Sequence, residues 1–159
     1  MGLYVSGLTE AELESYCDIA QSTKKNYDNL KEQLIGLQDN LNSLKKNFDS
    51  AKDNFNKGFS GKAAKDVNDN LSEMCSCVNE IVTDIDSYIE ACTERRNFYE
   101  SLRSNIRTAI SEVRSKYDVG VEYGWGFIGD IAEARHDNKN LDKINDTRYT
   151  ISGSSVSYS

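Results

Sequence analysis

Two hydrophobic stripes, each stepping alternately by three and four residues, dominate this chain, and a single Gly58-Phe59-Ser60-Gly61 break separates them. The first runs Leu13, Tyr16, Ala20, Thr23, Tyr27, Leu30, Leu34, Leu37, Leu41, Leu44, Phe48, Ala51, Phe55. The second runs Ala64, Val67, Leu71, Met74, Val78, Ile81, Ile85, Tyr88, Cys92, Arg95, Tyr99, Leu102, Ile106, Ala109, Val113. Only Thr23 and Arg95 interrupt the apolar character. A seven-residue repeat of this kind marks helices that pack along a narrow seam. A chain with no proline and 28% charged residues suits long helices.

Thr9 followed by Glu12 forms a capping box, which starts helix one near residue 10. That helix is expected over about 10–56, a loop over 57–61, and helix two over about 62–118. Gly36 and many asparagines lower the intrinsic helicity of the first, so it depends on burial of its stripe. Ser60 is placed to cap the second helix, and Gly61 should resist replacement if the turn needs positive φ. A connection this short forces an antiparallel hairpin over residues 1–118. Setting Phe55 against Ala64 puts Tyr27 opposite Cys92 and Cys17 opposite Leu102.

Beyond residue 118 the repeat stops. Residues 119–129 hold four glycines with Tyr123, Trp125 and Phe127, and are read as a segment that docks either on the hairpin or on a partner. Residues 130–146 read as a short helix using Ile131, Ala134, Leu141 and Ile144, and 147–159 as a flexible polar tail. The fold class is therefore all-α: a long antiparallel two-helix hairpin, coiled-coil-like, with a short, partly disordered C-terminal extension.

Helix two carries a third apolar row, Cys75, Val82 and Ile89, beside its stripe. Three apolar positions per heptad suit helices in bundles of three or four. Leaving Val82 and Ile89 in water would forgo ~1.5–3 kcal/mol each. A second protein chain is expected to cover them in preference to residues 119–159, with Trp125 as another candidate contact. That chain would be another helical protein or a second copy.

Little points to chemistry. A formal charge of −7 without clustered Lys or Arg argues against nucleic acid. No run of 18 apolar residues exists and the first residues lack a basic-then-apolar signal, so a cytoplasmic origin is expected, with export by a signal-peptide-independent route left open. Cys75 and Cys77 point roughly 200° apart on a helix, which does not suit zinc, and the four cysteines read as reduced thiols. The only histidine, His136, has no nucleophile fixed beside it, and Gly124-Trp125-Gly126 lacks the Lys and Ser/Thr of a phosphate loop. No cofactor, metal or catalytic residue is expected, and the chain reads as a non-enzyme.

The order helix, Phe59-Ser60-Gly61, longer helix resembles the WXG-type hairpin proteins of bacterial type VII (ESX-like) secretion, with Phe59-Ser60-Gly61 at the Trp-x-Gly position. The resemblance is closer to the small helical partners of LXG toxins of Gram-positive bacteria, the YwqH-like group. It covers about residues 10–118 and implies a non-enzymatic adaptor that binds a secreted LXG-type toxin or a second small helical partner. It also implies that Phe59 contributes to an export-recognition surface rather than only sealing the hairpin end. No Tyr or Phe here has Asp or Glu four residues on, so the export signal of such proteins would reside on the partner. The alternative is a self-associating coiled-coil structural protein with no secretion role.

Overall fold

The computed structural model describes residues 8–115, 120–146, 149–152 and 155–158. It contains helices α1 (Glu10–Gly58), α2 (Lys62–Ser115) and α3 (Gly120–Asp146), followed by strands β1 (Tyr149–Ser152) and β2 (Ser155–Tyr158). The two long helices pack against each other as the expected hairpin. The capping box is present: Glu12 N–H donates to Thr9 Oγ1 at 3.1 Å and Thr9 N–H to Glu12 Oε2 at 3.2 Å. At the turn Gly61 has φ of 87°, and its own carbonyl accepts from Lys65 N–H. Gly61 rather than Ser60 therefore holds the capping position of α2. The last residues expected in helix two, 116–118, lie outside the described residues.

The chain divides into two compact units. One joins the described residues up to Asp28 with those from Glu94 onward, and the other spans Asn29–Thr93. The division does not follow residue 118, because the C-terminal helix shares a core with the outer parts of α1 and α2. Within that unit Leu13, Ala20, Tyr99, Leu102, Ile106, Ala109 and Ile110 pack with Phe127, Ile131 and Ala134 of α3.

The Gly-rich aromatic segment, to which the sequence assigned no regular element, is helical from Gly120. Each glycine costs ~1 kcal/mol of helix propensity relative to alanine, and burial of one face offsets it. Phe127, Ile131, Ala134 and Leu141 are the buried positions, whereas Ile144 is exposed. With Asn138 they form a third row stepping by four and three. Phe127 thus docks on the chain's own helices. The tail read as flexible includes a two-stranded antiparallel ribbon pairing Tyr149 with Tyr158 and Ser152 with Ser155.

Thr23 and Arg95, the two breaks in the stripes, both meet α3. Thr23 Oγ1 accepts from Asn138 Nδ2 at 2.9 Å, and Asn26 Nδ2 donates to Asn138 Oδ1 at 2.9 Å. Asp137 Oδ2 accepts from Arg95 Nη2 at 2.7 Å, Tyr99 OH at 2.8 Å and Tyr27 OH at 2.9 Å. Arg95 Nη2 also donates to Glu133 Oε1 at 2.7 Å. Tyr27 stacks on Tyr99 with ring centroids 6.0 Å apart, so it does not face Cys92 as the register from Phe55–Ala64 predicted. α1 continues two residues past Asn56 to Gly58, which moves the turn and slides the register.

Burial opposes ionisation of Asp137, but the hydrogen bonds from Arg95, Tyr99 and Tyr27 outweigh it and hold its carboxyl below the usual carboxylate range. Burial, and then donation to Asp137, pushes the Tyr27 phenol up to about 12 and raises that of Tyr99. A depressed carboxyl pKa contributes stability that is present above the unfolded value and lost as pH falls through the folded one. Asp137→Ala, which removes the shared acceptor of two phenols and leaves Arg95 with Glu133 as its carboxylate partner, should lower unfolding free energy at neutral pH by about 2–3 kcal/mol. Urea denaturation across the acid range checks this: the difference from the parent chain should shrink below about pH 4.

Candidate interaction surface

In the Asn29–Thr93 unit, each helix presents one buried line with a flank on either side. Leu34, Leu41, Phe48 and Phe55 of α1 are half-buried, and Ala64, Val78, Ile85 and Cys92 of α2 are buried. With Leu71, half-buried between Ala64 and Val78, these residues repeat by seven along each helix and form the seam. What lies beside them differs sharply between the two flanks.

On one flank the helices are cross-linked by polar groups. Gln38 Nε2 donates to Val82 O at 3.0 Å and Asp86 Oδ1 at 2.6 Å, and Lys52 Nζ donates to Ser72 Oγ at 3.1 Å. Cys75 Sγ lies 3.7 Å from Asp49 Oδ1, and Asn68 Nδ2 donates to Asn56 Oδ1. Burial, then the Asp49 carboxylate, pushes the Cys75 thiol up; burial does the same to Cys92. Cys75, Val82 and Ile89 are half-buried along this flank within the single chain.

That placement corrects the seam assignment. Cys75, Val82 and Ile89 were expected outside the seam and buried only on association, with Met74, Ile81 and Tyr88 inside. The structure reverses the two rows. Gln38, Lys45 and Lys52 recur every seven residues on α1, and all three are half-buried. Gln38 and Lys52 make the hydrogen bonds along the flank of Cys75, Val82 and Ile89, and the Lys45 charge acts on Cys75. A seam chosen by apolarity alone passes over such residues.

The other flank is bare. Met74, Ile81 and Tyr88 are 49%, 47% and 61% exposed, and Leu37 and Leu44 of α1 are also exposed. Leu44, Phe48, Met74, Cys77, Val78, Asn70 and Glu73 line one open groove of about 430 Å³, which places the α1 and α2 rows on the same face. Among the described residues, the cross-helix hydrogen bonds of this unit lie on the opposite face. Five large apolar side chains at heptad spacing thus stand in water at ~1 kcal/mol each. The spacing matches the knobs of a further packed helix.

The loop residues form a separate feature. Phe59 is 62% exposed and stacks on Phe55 at 4.5 Å, so it does not seal the hairpin end by burial. Ser60 and Gly61 beside it are exposed as well. Trp125 lies in the first turns of α3, but its side chain falls outside the described residues. Cys77 is exposed, and all four cysteines are free thiols.

His136 is exposed, 3.9 Å from Asp137. Among the described residues no three His, Cys, Asp or Glu side chains converge as a metal would require, and no helix is long and apolar enough to cross a membrane. In comparisons with protein families, curated proteins and solved structures, nothing matches this chain.

Exchanging neighbouring residues of the two rows distinguishes seam from surface. Ile85, 4% exposed, should not tolerate a carboxylate: Ile85→Asp should cost about 3 kcal/mol or more. Ile81→Asp should change stability by less than about 1 kcal/mol. Urea unfolding followed by circular dichroism measures both. Equal losses would place Ile81 in the core.

Proposed function

We propose that the protein is a non-enzymatic helical adaptor that binds another helical protein through its hairpin. Its partner is an LXG-type toxin or related small helical protein of a Gram-positive bacterium, held in the cytoplasm before type VII export. The carrying observation is the exposed heptad row Leu37, Leu44, Met74, Ile81 and Tyr88, which lies outside the chain's own seam. A face of that spacing suits a helix better than an extended peptide or a small molecule.

The turn supports the same reading. Phe59 projects into solvent beside a glycine of positive φ, in the position that an aromatic-x-Gly recognition element would occupy. The partner-binding row is Leu37, Leu44, Met74, Ile81 and Tyr88 rather than the half-buried Cys75, Val82 and Ile89, and Trp125 is a second candidate contact. The partner would carry the export signal that this chain's Tyr and Phe residues do not supply.

The test is co-expression with the helical N-terminal region of an LXG-type toxin, with mass determination of the purified product. A stoichiometric complex is expected, weakened at least about tenfold by Met74→Glu with Ile81→Glu. Phe59→Ala should leave stability nearly unchanged and reduce export of the toxin rather than complex formation. Failure of co-expressed candidates to associate, or a complex indifferent to the double variant, contradicts the proposal.

A further inference from the structure

The bare face has a charge pattern as specific as its apolar spacing, and the pattern is one-sided. Glu73 lines the groove beside Met74 and Leu44. Steps of seven along α2 put Asp66 and Glu80 in the same row as Glu73, and Asp84 in the row of the groove residues Asn70 and Cys77. All four carboxylates are exposed. On α1 the matching edge is neutral. Asn40 stands between Leu37 and Leu44, one turn from each, and its row at seven-residue spacing is Gln33, Asn47 and Asn54, all exposed amides.

Three of the five lysines of α1 in this unit, Lys31, Lys45 and Lys52, flank the other side of the seam. Lys52 donates to Ser72 on the cross-linked flank, and Lys45 and Lys52 are the cations that act on Cys75 there. Lys31 shares their row at seven-residue spacing. None of the edge rows of the bare face contains Lys or Arg. The apolar face is therefore bordered by carboxylates along α2 and by uncharged amides along α1.

We infer that the helix docking on Leu37, Leu44, Met74, Ile81 and Tyr88 carries an apolar heptad row with Lys or Arg along the flank that meets α2. This rests on the helix-binding reading above and specifies the chemistry of its partner. Charge complementarity selects that occupant over a second copy, whose own bare face would bring only carboxylates or amides to the acidic edge. Rim charges of this kind govern partner choice and association rate more than raw affinity.

The test uses the full-length chain and three synthetic helical peptides of about four heptads, alike in their apolar row. They carry Lys, Gln or Glu along one flank and Gln along the other. Fluorescence anisotropy at low salt should give the Lys-flanked peptide about tenfold tighter binding than the Gln-flanked one, with the Glu-flanked peptide weakest. The preference should shrink at high salt. Glu73→Lys with Glu80→Lys and Asp84→Lys, all surface changes, should reverse the order, and Ile81→Asp should abolish binding of all three. Equal binding whatever the flank, or an order unchanged by the charge reversal, overturns the charge rule while leaving helix docking intact. No binding by any peptide overturns the docking reading itself. A chain that sediments as a dimer and is split by Ile81→Asp assigns the face to a second copy and overturns the proposal.

Discussion

A helix with a seven-residue apolar repeat has one buried line and two flanks, and everything distinctive about this hairpin follows from how the flanks are closed. In the Asn29–Thr93 unit the line is made by Leu34, Leu41, Phe48 and Phe55 against Ala64, Val78, Ile85 and Cys92. Hydrogen bonds from Gln38 and Lys52 tie down the flank that carries Cys75, Val82 and Ile89. The flank left over contains Leu37, Leu44, Met74, Ile81 and Tyr88. The polar contacts that stabilise the hairpin on one flank thus leave an apolar row exposed on the other.

The other unit solves the same problem internally. There the breaks in the stripes are the attachment points of α3: Thr23 meets Asn138, and Arg95 meets Asp137 and Glu133. Phe127, Ile131 and Ala134 then pack in one core with Tyr99 and Ile106. A polar group inside a heptad line is costly unless paired, so its presence implies a partner of matching chemistry. In this unit the partner is the chain itself.

Much of this was legible in the sequence. The two helices, the Thr9–Glu12 box, and the turn at Gly61 all follow from periodicity and capping chemistry. The helicity of residues 120–129 was not, because four glycines suggest a loop unless the row Phe127, Ile131, Ala134, Asn138, Leu141 is read with its polar member included. The same blindness to polar members reversed the flanks of α2. Met74, Ile81 and Tyr88 look like seam residues by hydrophobicity, and only the half-buried Gln38, Lys45 and Lys52 on α1 decide otherwise. Thr23 and Arg95 stood out at once, but nothing local to them identifies Asp137 and Asn138, over 40 residues away in one case and over 110 in the other, as their partners.

Hydroxyl-radical footprinting of the full-length protein alone, at dilute concentration, tests the division between seam and surface most directly. Met74 and Tyr88 should be modified at rates close to those in the unfolded chain, while Val78, Ile85 and Tyr99 are strongly protected. Protection of Met74 and Tyr88 in the monomer, together with rapid modification of Val82 and Ile89, would contradict the account.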